Sequence, residues 1–159
     1  MKNFLRIAGT TLAFGLLTGA ALADVTVSDN GGDLEISGSE GQDAIKISSS
    51  GNGYRIKGLT VNGMTTLVNG QNAITIGGVD EDFEIDLAGG DDRLVLRNLT
   101  VPDELQVETG DGNDFIKLID VRVNADSKID GERGNDTLRI INSELYDDSD
   151  LEMGNGNDV

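Results

Sequence analysis

An aspartate recurs in this chain at a fixed interval of 22 residues. The positions are Asp92, Asp114, Asp136 and Asp158, and each of the last three completes the string Gly-Asn-Asp. The units that they define, 92–113, 114–135 and 136–157, superimpose without insertion or deletion. A period of this length is typical of repeat proteins in which each unit forms one layer and only the stack buries a continuous core. The repeat therefore predicts a solenoid.

Each unit contains short pieces in which apolar and polar residues alternate. In the second unit they include Ile116-Lys117-Leu118 and Val121-Arg122-Val123. Alternation with period two is typical of β-strands with one buried and one wet face, and the pieces are too short for helices. Apolar residues also recur at equal offsets, as in the column Leu94, Ile116, Leu138. We therefore predict an all-β fold, a right-handed parallel β-helix with three strands in each coil of about 22 residues.

The regularity of the pattern differs along the chain. Residues 24–91 contain alternating pieces such as Val25-Thr26-Val27 between turn residues, and we expect an N-terminal cap and irregular first coils there. Residues 92–159 are expected to form the regular 22-residue coils. The sequence stops one residue after Asp158 without the polar cap that is usual in solenoids. Either the end docks a partner or the chain is truncated, and truncation is the favoured interpretation because a bare end invites aggregation.

The first 23 residues have the pattern of a cleaved signal peptide. Lys2 and Arg6 provide a basic start, a largely apolar stretch runs from Ile7 to Leu17, and Ala21-Leu22-Ala23 provides small residues for cleavage. The apolar stretch is shorter than the roughly 20 residues that span a bilayer. We therefore predict a secreted protein, extracellular or periplasmic. Without cysteine, it must be stabilised by packing or bound ions rather than by disulfides.

The chain is strongly acidic, and its acids are aligned by the repeat. The formal net charge of −17 becomes −19 without the predicted leader, which argues against nucleic acid and anionic membranes as partners. Neighbouring strands lie about 4.8 Å apart, where two full charges repel by about 1 kcal/mol in water and about 3.5 kcal/mol at an effective dielectric constant of about 20. The aligned acids include Asp92/Asp114/Asp136/Asp158, Glu104/Asp126/Asp148 and Glu108/Asp130/Glu152. Their repulsion opposes the stacking that the core requires.

Divalent cations between successive loops would turn this repulsion into attraction. Carboxylate and carbonyl oxygens favour Ca²⁺, and glycines allow the backbone to turn its carbonyls toward an ion. The candidate ligands are Asp92, Gly110, Gly112, Asn113, Asp114, Gly134, Asn135, Asp136, Gly156, Asn157 and Asp158. The alternative is corner chemistry without an ion, because Asn side chains form hydrogen-bonded ladders in stacked strands and Asp is frequent in turns.

The corners resemble the hemolysin-type calcium-binding (RTX) nonapeptide G-G-x-G-x-D-x-U-x, in which U is a large apolar residue. The string from Thr109 to Lys117 carries the resemblance best, residues 131–139 and 153–159 are similar, and residues 38–46 and 87–95 are weaker copies. One copy occurs per 22-residue unit, whereas the family has tandem copies. The resemblance implies that Asp114, Asp136 and Asp158 hold Ca²⁺ with carbonyls of neighbouring glycines, and that folding depends on the ion after export.

Catalysis has little support in the sequence. The chain has no His and no Cys, the usual general base and thiol nucleophile. The adjacent acids Asp91-Asp92 and Asp147-Asp148 could form a glycosidase pair, but they are interpreted as solvated turn residues. The chain also has few Lys and Arg residues with which to hold an anionic sugar chain. We predict that the chain is not an enzyme.

The predicted function is that of a secreted acidic β-helix protein that binds Ca²⁺ in its Gly-x-Gly-Asn-Asp loops and has a structural or extracellular binding role. Low cytosolic calcium would leave the chain loose before export, and external calcium would lock the stack. The alternatives are a metal-independent adhesin or matrix β-helix, a noncatalytic module of a polysaccharide-active protein, and a degenerate enzyme. The expected partners are calcium ions and an extracellular glycan or protein, with no nucleic acid and no membrane span.

Overall fold

The computed structural model describes residues 23–159, in which all regular secondary structure is β-strand. The predicted signal peptide, apart from Ala23, lies outside these residues. The strands are β1 (Asp24–Asn30), β2 (Asp33–Ser39), β3 (Ala44–Ser50), β4 (Gly53–Gly58), β5 (Thr60–Val61), β6 (Met64–Thr65), β7 (Leu67–Val68), β8 (Ala73–Gly77), β9 (Phe83–Ala88), β10 (Arg93–Val101), β11 (Leu105–Glu108), β12 (Phe115–Val123), β13 (Ser127–Asp130), β14 (Thr137–Ile141), β15 (Glu144–Leu145) and β16 (Ser149–Glu152). The predicted all-β class is confirmed.

Most strands belong to one of two sheets. Sheet 1 has the order β16-β13-β11-β9-β2-β1-β7, and sheet 2 has the order β14-β12-β10-β3-β4-β8 with β15 also paired to β12. The short strands β5 and β6 pair only with each other within residues 23–159. Both sheets are mixed, since β1–β2, β3–β4 and β4–β8 are antiparallel while the later strands are parallel. Parallel pairing throughout, as expected from the sequence, is therefore corrected for the N-terminal part.

The parallel strands of residues 92–159 pair in steps of 22 residues. In sheet 2, Leu94 lies opposite Ile116 and Ile116 lies opposite Leu138. In sheet 1, Val107 lies opposite Ile129, which lies opposite Leu151. The apolar columns of the sequence are thus the pairing register of the strands.

The number of strands per unit differs from the predicted three in two of the three units. In the first and second units, the first two predicted pieces merge into the nine-residue strands β10 and β12. Each strand contains one residue with positive φ, Asn98 at 51° and Asp120 at 53°. Asn and Asp tolerate this left-handed conformation better than most residues, so the strand can turn a corner without ending. In the last unit, Asn142 has the same conformation and the pieces are separate strands, β14 and β15.

An antiparallel excursion interrupts the register near the N-terminus. Strand β2 pairs with β9, and β3 pairs with β10, at a separation of 49 residues rather than 22, with Leu34 opposite Phe83 and Ile45 opposite Leu94. Strands β4 to β8 occupy the intervening sequence, and β4 and β8 extend sheet 2 beyond β3. The end of sheet 2 therefore consists of antiparallel pairs, whereas sheet 1 has one antiparallel pair, β1–β2, followed by the parallel pair β1–β7.

The inner faces of both sheets contribute to one hydrophobic core. It includes Leu94 and Leu118 from sheet 2 and Ile85, Val107 and Ile129 from sheet 1. Full burial of such a side chain contributes roughly 1.5–3 kcal/mol. No helix in residues 23–159 has the length and hydrophobicity needed to cross a membrane.

Candidate functional site

Five aspartates form a column at one corner of the stack, which we call the Asp column. Its members are Asp43, Asp92, Asp114, Asp136 and Asp158. Asp43 and Asp92 directly precede β3 and β10, and the next two precede β12 and β14, so the strand register aligns their backbones. Asp43, Asp92, Asp114 and Asp136 are no more than 2% exposed. Three of these four were predicted site residues, and Asp43 was not.

From Asp92 onward, each carboxyl group in the column accepts a hydrogen bond from the backbone N–H of the preceding member. The Asp43 N–H donates to Oδ1 of Asp92 at 2.7 Å, and the Asp92 N–H donates to Oδ1 of Asp114 at 2.7 Å. The pattern continues from Asp114 to Asp136 at 2.8 Å and from Asp136 to Asp158 at 2.9 Å. The carboxyl groups thus satisfy buried N–H groups at a corner where the strand ladder is interrupted.

In three of these side chains, the second carboxyl oxygen has no hydrogen-bond partner among residues 23–159. This applies to Oδ2 of Asp92, Asp114 and Asp136, all of which are buried. In Asp43 the roles are exchanged, because Oδ2 accepts bonds from the Ser39 N–H at 2.7 Å and the Ser39 hydroxyl at 3.0 Å while Oδ1 is unpartnered. Each of these four buried carboxyl groups therefore has one oxygen at which a negative charge would be costly.

Burial shifts the ionisation of the column. Loss of solvation raises the pKa of Asp92 to about 8 and that of Asp114 to about 6. The N–H bonds that both accept, and for Asp114 also the nearby Thr109 hydroxyl, only partly oppose this rise. Burial also raises the pKa of Asp43 and of Asp136. At neutral pH Asp92 is therefore mostly protonated. The like-charge repulsion inferred from the sequence is smaller than a column of full charges would give.

The asparagines beside the column face the solvent and form a ladder of their own. Oδ1 of Asn113 accepts bonds from the N–H of Asn135 at 3.1 Å and from its Nδ2 at 2.9 Å. The Asn157 N–H donates to Oδ1 of Asn135 at 3.0 Å. The ladder begins at Asp91, whose Oδ1 accepts the N–H and Nδ2 of Asn113, and these bonds lower the pKa of Asp91. This is the corner chemistry that the sequence left open as the alternative to calcium.

The predicted glycine ligands lie where neighbouring units approach most closely. A Cβ atom added at Gly112 would lie 1.6 Å from the carbonyl oxygen of Gly90, and one at Gly134 would lie 1.4 Å from that of Gly112. Gly156 and Gly110 are equally crowded, against the carbonyl oxygens of Gly134 and Ala88. The carbonyls of Gly90, Gly112 and Gly134 are thus packed against the next glycine.

The predicted ligands are therefore not brought together as a calcium cage in this structure. The aspartates lie inside, the asparagines lie outside, and the glycine carbonyls contact backbone, whereas Ca²⁺ takes about six to eight oxygens around one point. Within residues 23–159, no three acidic side chains are grouped as a metal ion would require. The feature that favours an ion is the unpartnered Oδ2 of Asp92, Asp114 and Asp136. Calcium binding stays a prediction.

Sequence reasoning missed two residues of this corner. Asp43 occupies a motif position in the weak copy at residues 38–46, but its separation of 49 residues from Asp92 hid its place in the column. Asp91 was weighed as one half of a glycosidase pair and interpreted as a turn acid, although it begins the Asn ladder. The run Asp91-Asp92 followed 22 residues later by Asn113-Asp114 was the available signal for this role.

Comparison with known proteins adds no assignment. The chain matches no protein-family model, no curated protein and no solved structure. The resemblance of the corners to RTX repeats therefore stays a prediction that rests on the residues themselves. The function has to be argued from the arrangement of the chain.

Proposed function

We propose that the chain is a secreted structural repeat protein, in which residues 92–159 form a right-handed parallel β-helix, and that it acts as a metal-independent extracellular scaffold or binding module. The observation that carries this proposal is the common 22-residue register of the two sheets. A unit runs from β10 in sheet 2 to β11 in sheet 1 and returns through the corner to β12. The corner itself pairs in the same step, with parallel bridges from Gly89 to Asp111, from Asp111 to Arg133 and from Arg133 to Asn155. The equal advance at all three places supports an arrangement of stacked coils.

The Asp column supports a metal-independent stack. Its Oδ1 atoms satisfy the N–H groups of the preceding unit, and its raised pKa values reduce the repulsion that calcium was invoked to overcome. The Asn ladder holds the outer side of the same corner. The units are therefore joined at this corner by side-chain hydrogen bonds on both sides, in addition to the strand ladders.

The adjacent acids support a noncatalytic role. Asp92 is buried in the Asp column and Asp91 is exposed on the Asn ladder, so the two carboxyl groups face different sides of the chain. In the other pair, Asp147 has a positive φ of 55° in a turn, and the Asp148 N–H donates to Oδ1 of Asp126 at 3.1 Å. Both pairs belong to corners that stabilise the stack, which is a poor basis for paired acid and base chemistry.

A calcium-stabilised form of the same scaffold is the second candidate. The buried and unpartnered Oδ2 atoms of Asp92, Asp114 and Asp136 favour it, together with the resemblance to RTX repeats. Deprotonation of these groups on ion binding would supply the negative charge that a hard cation prefers. Calcium would then act by stiffening the corner.

Thermal unfolding of the purified chain, followed by circular dichroism, distinguishes the two candidates. The metal-independent scaffold predicts the same midpoint in millimolar Ca²⁺, in Mg²⁺ and in excess chelator. The double variant Asp114→Asn, Asp136→Asn tests the column, and Asp103→Asn is a control at an exposed position. A rise in midpoint that is specific to Ca²⁺, lost in the double variant and kept in the control would replace the proposal by the calcium-stabilised form.

A further inference from the structure

The two sheets carry opposite charges, although the chain as a whole is strongly acidic. Strands of sheet 1 contain one basic residue, Lys128, and the acids Asp24, Asp29, Asp33, Glu35, Glu84, Asp86, Glu108, Asp130, Asp150 and Glu152. Strands of sheet 2 contain the acids Asp120 and Glu144, and the basic residues Lys46, Arg55, Lys57, Arg93, Arg97, Lys117, Arg122 and Arg139. The net charge conceals this division. An oriented field of this kind attracts anions to one side of the molecule only.

Four of these cations form a straight row across sheet 2, which we call the basic row. Lys57 on β4 lies opposite Lys46 on β3, and Lys46 lies opposite Val95 on β10. Val95 lies opposite Lys117 on β12, which lies opposite Arg139 on β14. At the usual strand spacing of about 4.8 Å, the row extends for about 19 Å.

The basic row faces away from the core. Lys46 alternates along its strand with the buried Ile45 and Ile47, and Lys117 alternates with the buried Ile116 and Leu118. Lys57 and Arg139 are exposed, and Lys46 and Lys117 are half-buried in the middle of the sheet. The charged ends of the row are therefore available to a ligand.

The row has no acidic counterpart within the described chain. The salt bridges among residues 23–159 are Arg122–Glu144, Lys128–Glu108 and Arg133–Asp111, and they involve no residue of the row. Like charges on neighbouring strands destabilise a sheet. An anionic ligand laid across the strands would relieve that repulsion at each step.

A second copy of the chain is a poor match for this surface. Five strands about 4.8 Å apart and five residues of about 3.3 Å each give a face of about 400 Å². A stable protein interface buries about 800 Å² on each partner. The acidic face of another copy would therefore be held weakly by this surface alone.

Nucleic acid is also disfavoured. Duplex DNA carries one charge for about every 1.7 Å of its axis, far denser than the row, and single strands are bound through free aromatic faces. Beside the row lies the aromatic ring of Phe115, which is covered by the guanidinium groups of Arg93 at 4.3 Å and Arg139 at 5.7 Å from its centroid. A sugar polymer with one acidic group per residue has the more open spacing that suits a row of single cations.

We propose that the outer face of sheet 2 binds a linear anionic polysaccharide, carboxylated or sulfated, along Lys57, Lys46, Lys117 and Arg139. Arg93 and Arg97 flank the row on β10 and would contact neighbouring groups of the polymer. This assignment deepens the extracellular binding role proposed above and rests on it.

Binding to defined polymers tests the assignment. The full chain is titrated with dextran sulfate, with polygalacturonate and with unsubstituted dextran, at about 50 mM and about 500 mM salt, concentrations that differ in electrostatic screening. The row variant is Lys46→Gln, Lys117→Gln, Arg139→Gln. The control variant Arg122→Gln, Lys128→Gln, Arg133→Gln removes the same charge from residues outside the row. We expect salt-sensitive binding to an anionic polymer and no binding to dextran. The affinity should be about tenfold lower in the row variant only, because each of the three lost ion pairs is exposed and contributes less than a factor of ten by itself.

Three results would overturn the assignment. They are no binding of either anionic polymer at low salt, equal loss in both variants, and tighter binding of single-stranded DNA or of a second copy with the same dependence on the row. If the row variant fails to fold, the single variants Lys117→Gln and Arg139→Gln replace it. If the wild-type chain binds neither anionic polymer and its midpoint does not depend on calcium, this site is rejected and the scaffold proposal stands. A calcium-dependent midpoint affects the scaffold proposal alone.

Discussion

The second and third repeat units have the same pattern but different surroundings. In the second unit, Leu118 and Ile129 are fully buried between neighbouring strands. Their counterparts in the third unit, Ile140 and Leu151, are 38% and 40% exposed, because β14 and β16 each have a neighbour on one side only within residues 23–159. Apolar residues at equivalent positions of the two units therefore contribute differently to the core. The stability of a unit is set by the units that cover it, as expected for a stack with nearest-neighbour contacts.

The largest effect that separates the two positions is expected from glycine at the corner. In Gly112→Ala the new Cβ would lie 1.6 Å from the Gly90 carbonyl oxygen, between two covered units. In Gly156→Ala the Cβ would lie 1.5 Å from the Gly134 carbonyl oxygen, but the last corner is exposed and can move away. We expect a loss of more than about 4 kcal/mol in unfolding free energy for the first and about 1 kcal/mol for the second. Chemical denaturation measures both, and equal losses would contradict the comparison.

A smaller contrast is expected from the core columns. Leu118→Ala removes a fully buried side chain and should cost roughly 3 kcal/mol, because the stack on both sides cannot collapse into the cavity. Ile140→Ala changes a partly exposed side chain in the same column and should cost about 1 kcal/mol. Unfolding midpoints in denaturant, with unchanged slopes, check this prediction. A cost at Ile140 as large as that at Leu118 would mean that the third unit is covered as well as the second.

The smallest contrast concerns pH. The pKa of Asp92 is raised by burial to about 8, above its unfolded value of about 3.9, so the folded state binds more protons between these limits. The stabilisation is full below about pH 4 and is lost as the pH rises through 8. Asp92→Asn keeps an Oδ1 acceptor without the ionisation, and should flatten the fall of stability from pH 4 to 8. Asp136→Asn should flatten it less, because the neighbouring strand β14 is covered on one side only and its Leu138 and Ile140 are partly exposed.

Unfolding free energies of the wild type and both variants at intervals of pH give the slopes. The wild type also gains negative charge with pH, so only the differences between variants are informative. A steeper slope in Asp92→Asn than in the wild type would show that this carboxyl group is charged in the folded state.

The repeat could be predicted from the sequence because its register depends on local patterns. The columns through Ile116 and Leu118 coincide with the pairing of β10, β12 and β14, since a one-residue slip would expose every buried side chain. The Asn ladder was foreseen as an alternative for the same reason, since Asn113 and Asn135 are equivalent positions. The excursion of β4 to β8 could not be predicted, because hairpins such as β3–β4 have no counterpart in the repeat.

The charge state of the aspartates at the corner could not be predicted from the sequence, for a different reason. Aligned acids such as Asp92 and Asp114 indicate repulsion only if they are charged, and their burial decides that. The basic row was hidden by the net charge, although its signal was present. Lys46, Lys117 and Arg139 each occupy the polar position between two apolar residues, and following that position across the strands would have aligned them.

The paired strands predict that successive units stack with a register of 22 residues. The chain has no cysteine, so an introduced pair reports its own proximity. In the variant Lys117→Cys, Arg139→Cys the two residues are register partners on the outer face of β12 and β14, within the range that a disulfide spans. In the variant Lys117→Cys, Ile141→Cys the second cysteine is displaced by two residues along the strand. After mild oxidation, we predict an intramolecular disulfide, detected by the mass of a thiol-blocked sample, in the first variant and little in the second. Equal or faster closure of the displaced pair would contradict the 22-residue stack.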